Sequence, residues 1–433
     1  MSGHSITRRG FGAFAGMTGI GAMLGGVATA SPASGVERAW QENGRPVTAL
    51  RPFDAAMKMF MQERNIPAGQ LAVTRHNRLV LARSYAWTDD TVEACRLGPT
   101  SLFRIASLSK PVTGVAANVL VQRGDLDLDA RLTDLVDMAP VPGETADPRL
   151  DQITVRRLLQ HLGGWDSDIS GDITLEDVAA AEALGASLPV GIDQVVRYGA
   201  GRPLDHDPGT TYAYSNYGYM LLGEIVESIA GVPYDLFVQR NVLAPLGITR
   251  MRLARTLREH RAPTEVRYFS QRTGSTVMDD SGAQVAAPYG TFRLESRAAI
   301  GSWLSSAVDM VRFASLYGTD TVLGFEAKER TFSEPETGHE PGGWYYGLGW
   351  FVVPGGTGEP GFRAFHAGLY PGTATYLTRN PDATTFAALF NQSDDPSGLD
   401  YQVIIDLLHQ AAEQVSNWPD HDLYDEYFPS PWT

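Results

Sequence analysis

Cys95 is the chain's single cysteine, so an intramolecular disulfide and a zinc–thiolate cluster are both excluded. Lysine is almost as scarce. Across 433 residues only Lys58, Lys110 and Lys328 occur, and every other basic residue is arginine. Positive charge is short overall: 35 Lys and Arg against 50 Asp and Glu leave a formal net charge of −15. Such a surface repels phosphate backbones and argues against a nucleic-acid partner. Past the first thirty residues no apolar run is long enough to read as a membrane span. No G-x-S-x-G occurs, which removes the nucleophile elbow of the α/β-hydrolases. The acidic run Asp125-Leu126-Asp127-Leu128-Asp129 lacks the turn glycine and closing glutamate of a calcium loop, and it reads as a solvated connector. The sequence implies no metal site and no cofactor.

The composition, 43% hydrophobic and 20% charged, belongs to a folded globular chain long enough for one large domain or two joined ones. Residues 1–30 read as an export signal. Arg8-Arg9 form a twin-arginine pair, a Gly/Ala-rich apolar stretch follows, and Ala28-Thr29-Ala30 offers a small-x-small cleavage site. The expectation is an exported protein, periplasmic or extracellular, with no stable membrane anchor after cleavage. Residues 31–48, rich in Ser, Pro and Gly, read as a linker.

From there the hydrophobic period predicts an α/β pattern, then short helices in long loops, then α/β again. Phe53, Ala56, Met57, Phe60 and Met61 make a helix stripe ending before Pro67. Residues 70–74 and 78–85 alternate as an antiparallel hairpin about a polar turn at His76-Asn77-Arg78. Residues 49–130 and 295–415 are assigned to an α/β part, a sheet carrying helices. Residues 131–294 are assigned to a helical subdomain, in which 261–288 reads as a long surface loop near the cleft. Strands are expected at 345–353, 362–365, 373–379 and 384–391, and a last helix around Tyr401, Ile404, Ile405 and Leu408. The acidic, aromatic tail 416–433 has no assigned task.

Three stretches carry chemistry. In Ser107-Leu108-Ser109-Lys110 one helical turn places a hydroxyl and an amine on the same face, with a buried apolar stripe behind. A serine at a helix start sits where free N–H groups favour developing negative charge, and a desolvated lysine can activate it. In Tyr214-Ser215-Asn216 an extended segment points phenol and amide the same way, and it is the one Y-x-N among 17 tyrosines. In His366-Ala367-Gly368-Leu369, expected between two strands, the glycine permits close approach to a strand edge.

Together, in this order and spacing, Ser107-x-x-Lys110, Tyr214-x-Asn216 and His366-Ala367-Gly368 resemble the serine hydrolases related to class C β-lactamases. That group includes D-Ala-D-Ala carboxypeptidases, D-aminopeptidases, family VIII-type esterases and some acyltransferases. The resemblance spans about residues 50–412. It implies an α/β fold of the α+β type, β-lactamase/transpeptidase-like: an antiparallel sheet flanked by helices with an inserted all-helical subdomain. It implies Ser107 as acylated nucleophile, Lys110 as its activating partner, Tyr214 as general base and then acid, and Asn216 as holder of lysine and substrate. The N–H groups of Ser107 and Leu369 would form the oxyanion hole, with His366, Ala367 and Gly368 as the substrate-binding strand. Where relatives usually carry lysine this chain has His366, which gives up a charge contact with a substrate carboxylate. The resemblance therefore implies an esterase-like or D-amino-acid peptidase-like hydrolase in preference to an efficient β-lactamase, its partner a small ester, amide or short D-peptide. The alternatives are a penicillin- or peptidoglycan-binding protein without turnover, or an acyltransferase on the same fold.

Overall fold

A computed structural model describes residues 39–88, 97–355 and 361–428. The export signal expected at 1–30 and Cys95 lie outside the described residues. No described helix is long and apolar enough to cross a membrane.

The chain is built on one antiparallel sheet of eight strands: β1 (Ala39–Asn43), β2 (Ala68–Arg75), β3 (Arg78–Thr88), β4 (Tyr345–Tyr346), β5 (Phe351–Pro354), β6 (Phe362–Tyr370), β7 (Thr373–Arg379) and β8 (Thr384–Phe390). Their spatial order is β1-β3-β2-β8-β7-β6-β5-β4, so the first and last thirds of the sequence meet at the β2–β8 pair. Two-residue turns close the β2–β3 and β6–β7 hairpins. His76 and Asn77, at φ 48° and 59°, supply the left-handed geometry that matches strand twist between β2 and β3.

Both faces of the sheet are covered, and the central strands show it. On β8, Phe386, Ala388 and Phe390 pack with Phe53, Met57, Phe60, Ile404 and Leu408, from helices Arg51–Glu63 and Ile404–Glu413. Ala387 and Leu389 point the other way, into the layer of Val112, Val115 and Met310, from helices Ser109–Arg123 and Ala307–Ala314. A strand buried on both faces loses the polar half of its alternation. The Ser109–Arg123 helix goes further: it is buried from Ser109 to Leu120 around its whole circumference, where the sequence predicts a single apolar stripe.

Several expectations are corrected. Residues 39–43, inside the expected linker, form edge strand β1, paired with β3 over Ala39–Thr88 to Asn43–Ser84; Glu42 bonds Lys58 and Arg83. The expected strand 345–353 is broken at 347–350, where Gly347 packs on the Thr331 carbonyl and Gly349 takes φ 94°. The helical region also holds a two-residue strand, Arg252–Leu253, paired to Trp303–Ser305, and a hairpin of Thr273–Ser275 with Gln284–Ala286. The 261–288 segment is anchored as well as exposed: buried Arg104 pairs with Glu265 at 3.3 Å, and Tyr268 Oη accepts the Arg104 N–H at 2.8 Å. The tail is tied to the sheet, with Leu423 N donating to Leu79 O at 2.8 Å and Trp418 packing on Phe53.

Candidate active site

The short strand Phe103–Arg104 leads over the face of β6 and β7, where Thr373 Oγ1 and Thr375 Oγ1 donate to the carbonyls of Arg104 (2.9 Å) and Ile105 (2.8 Å). Ala106 then turns at φ 47°, a conformation that costs an alanine about 1 kcal/mol and swings the chain from strand into helix. Ser107 lies in the 3-10 turn Ala106–Leu108, two residues ahead of the helix at whose start the sequence places it. It is half-buried, while Lys110, one turn on, has no exposed surface.

Lys110 Nζ is surrounded by three acceptors: Ser107 Oγ at 3.1 Å, Asn216 Oδ1 at 2.7 Å and the Ile300 carbonyl at 3.2 Å. Its ammonium also lies 4.8 Å from the Tyr214 ring centroid. Burial lowers its pKa to about 7, against a smaller upward pull from Asp172. A neutral amine fits this cage without a vacancy. Two N–H groups serve Asn216 and Ile300, and the lone pair faces the Ser107 hydroxyl.

Tyr214 is held by His161 from both sides. The His161 carbonyl accepts the Ala213 N–H at 3.0 Å, its Nδ1 accepts the Ser215 N–H at 3.1 Å, and its ring lies 4.3 Å from the phenol ring. Tyr214 Oη is buried and makes no hydrogen bond of normal geometry; the Ser107 hydroxyl is the polar group that acts on it. Burial raises the phenol well above its usual pKa, more than Ser107 lowers it. The protonated phenol is thus the resting form at neutral pH. In this form the phenol is a proton donor.

The motif His366-Ala367-Gly368-Leu369 lies within β6, a correction to its expected place between strands. The substrate contact expected of His366 is corrected too: the imidazole has no exposed surface. Its Nδ1 donates to the Ala367 carbonyl at 2.7 Å, so Nε2 accepts from Tyr346 Oη at 2.8 Å. Burial, reinforced by Lys110, lowers its pKa to about 3, so it is neutral. It supports Tyr346, whose ring packs on His161 at 4.4 Å. Ala367 is buried, its side chain in the layer behind β6. The Leu369 side chain packs into that same layer, which leaves only its backbone for the site.

Gly368 faces the serine turn. A methyl there would overlap the Ile105 carbonyl and lie 2.5 Å from Thr375 Oγ1 and 3.0 Å from Ser107 N. Gly368→Ala is therefore expected to push β6 and the Ser107 turn apart, lowering the melting temperature by several degrees and slowing any reaction at Ser107 at least about tenfold. Thermal melts and labelling rates check this; wild-type values for both would mean the two segments do not meet.

Two members of the cluster gave no sequence signal. The Ile300 carbonyl is one. The other is Asp172, whose Oδ2 accepts from Asn216 Nδ2 at 2.6 Å while Oδ1 accepts from Thr174 N at 3.0 Å and Thr174 Oγ1 at 2.7 Å.

An antiparallel sheet between helical layers, with a serine–lysine pair at the start of its most buried helix, defines the β-lactamase/transpeptidase-like class of hydrolase folds. The family model described as Beta-lactamase matches residues 53–409, and the chain belongs to that family. It is 31% identical over 206 residues to Esterase EstB of Burkholderia gladioli (45% of this chain, 49% of that protein). It is 27% identical over 204 residues to protein flp of Staphylococcus aureus (47% and 38%), so each match spans half or less of the relative's length. Among solved structures, a penicillin-binding protein homologue from Pyrococcus abyssi superposes with TM-score 0.63 at 22% identity, covering 87% of this chain and 80% of that one. D-amino acid amidase from Ochrobactrum anthropi SV3 gives 0.62 at 19%, covering 86% and 100%. At such identities these likenesses speak for the fold.

Proposed function

We propose that this β-lactamase-fold hydrolase cleaves an ester or amide bond through an acyl-enzyme on Ser107, as an esterase or a D-amino-acid amidase in preference to an efficient β-lactamase. The observation that carries this is the buried Lys110 amine, 3.1 Å from Ser107 Oγ with its pKa lowered to about 7. Neutral Lys110 takes the Ser107 proton as Oγ bonds to the substrate carbonyl carbon. The carbonyl electrons move onto oxygen, facing the Ser107 and Leu369 N–H groups. As the intermediate collapses, the bond to the leaving group breaks and that group takes a proton from Tyr214, which Lys110 restores. Water then attacks the acyl-enzyme by the same proton path, releasing acid and free Ser107.

The relatives support this substrate range, one being an esterase and another structure a D-amino acid amidase. The uncharged, enclosed His366 supports the lean away from β-lactams, because it offers no cation to a substrate carboxylate. Export by the twin-arginine segment, to the periplasm or beyond, is part of the same proposal.

Because Lys110 must be neutral to accept the proton, kcat/KM for a p-nitrophenyl ester is expected to rise with pH along a limb of apparent pKa about 7, falling about tenfold per unit below it. A profile flat from pH 5 to 8 would remove lysine from the base role. Stoichiometric labelling by a penicillin without turnover of any ester or amide would instead favour the binding-protein alternative.

A further inference from the structure

We propose that Asp172 is a positioning residue for Lys110: its carboxylate turns the Asn216 amide so that Oδ1 faces the amine, and its negative charge sets the field in which that amine gains and loses its proton. This rests on the reading above, in which Ser107 and Lys110 act together.

An asparagine side chain is two-faced, donor on one arm and acceptor on the other. Asp172 Oδ2, 2.6 Å from Asn216 Nδ2, is a pure acceptor when ionised and so demands the NH2 arm. The oxygen arm is thereby committed to Lys110 Nζ at 2.7 Å. Left to itself the amide could flip and present a donor to the ammonium. Asp172 is in turn fixed as the cap of the 3-10 turn Ile173–Leu175, through Thr174 N and Oγ1 on its other oxygen. That turn is anchored by Arg297, which donates to the Thr174 carbonyl and pairs with Asp177 at 2.7 Å, both side chains buried. The Arg297 carbonyl accepts the Ile300 N–H at 3.1 Å, so the same arginine stands behind the residue whose carbonyl holds Lys110. Two of the amine's three acceptors, Asn216 and Ile300, are thus tied into one hydrogen-bonded network.

Four other side chains with titratable groups face Lys110. Tyr214 comes from the loop before Asn216, Tyr219 from the helix after it, His161 from the end of the Val155–Leu159 helix and His366 from β6. Burial keeps both phenols protonated and both imidazoles uncharged at neutral pH. Among these groups Asp172 brings the negative charge, and it draws the Lys110 pKa upward against desolvation. Without it the amine would lose its proton more easily, and the acid limb of reactivity would move to lower pH.

The test follows the rate of Ser107 modification by a fluorophosphonate from pH 5 to 10, with p-nitrophenyl ester turnover alongside, in wild type, Asp172→Asn and Asp172→Glu. Asp172→Asn removes the charge and is expected to shift the limb down by about half a pH unit or more while lowering the plateau about tenfold or more. Asp172→Glu keeps the charge but moves the carboxylate, so the plateau is expected to fall while the limb stays within about 0.2 unit of wild type. A purely structural residue would lower both plateaus and move neither limb, which overturns the charge role. An Asp172→Asn plateau within twofold of wild type overturns the positioning role. If asparagine at 172 unfolds the chain, Asp172→Glu decides, since a plateau equal to wild type is incompatible with the proposal. Wild type that reacts at no pH would instead sink the hydrolase reading.

Discussion

Ser107→Ala is expected to reduce ester or amide turnover by about four powers of ten or more, while leaving the melting temperature within a few degrees of wild type. The fold has little stake in this hydroxyl. Its Oγ lies 3.1 Å from Lys110 Nζ, and its site is half open to solvent. The left-handed Ala106 and the crossing at Gly368 shape the turn without it. Loss of activity with an intact fold therefore separates chemistry from structure. Steady-state turnover and a thermal melt on the same preparation suffice; a variant retaining even a tenth of wild-type turnover would show that another residue is attacked.

Lys110→Met should cost about two to four powers of ten in kcat/KM, the usual scale of a proton-transfer group, and its effect on stability should depend on pH. Folding takes this amine from water to full burial and lowers its pKa from 10.5 to about 7. Below about pH 7 it is charged in both folded and unfolded states, and the whole desolvation penalty weighs on the fold. Between about 7 and 10.5 the unfolded chain binds the extra proton, so wild-type stability rises with pH; above 10.5 the penalty is gone. Methionine carries no such penalty. The stability of Lys110→Met relative to wild type is therefore expected to be greatest at pH 6 and to decline steadily toward pH 10. Denaturant melts at pH 6, 8 and 10 read this, and a difference independent of pH would mean that Lys110 keeps an ordinary pKa. An inactivating substitution that relieves a buried charge is the trade between stability and function expected at a catalytic site.

The parts of the site that the sequence made legible are those set by local geometry. Ser107 and Lys110 are one helical turn apart, and Tyr214 and Asn216 two residues apart in extended chain. Spacing alone therefore put each pair on one face, and the structure brings all four together around the amine. Hairpins such as β2–β3 were legible for the same reason, since alternation and a polar turn are local signals. What escaped depends on contacts far apart in the chain. Asp172 reaches Asn216 across 44 positions, and its own neighbourhood says only that it caps a turn. The strand expected at 362–365 stops short of His366, whereas β6 runs on to Tyr370. In the sheet Gly368 marks the place where the serine turn presses on β6, and the histidine beside it is sealed in. The β4–β5 break arose from Gly347 and Gly349 meeting the Thr331 and Lys110 backbones, again a tertiary demand. Edge strand β1 was hidden by the Ser/Pro/Gly composition around it, although β3 gives it a ladder to join.

On the proposed reading, Ser107 forms the covalent bond to substrate and a neighbouring amine switches it on. Treating the chain with a fluorophosphonate at pH 8 and locating the adduct by intact mass and peptide mapping tests it directly. One adduct per chain is expected, on Ser107, forming about tenfold more slowly for each pH unit below 7. A modification mapped to a different residue, or none at any pH, would contradict it.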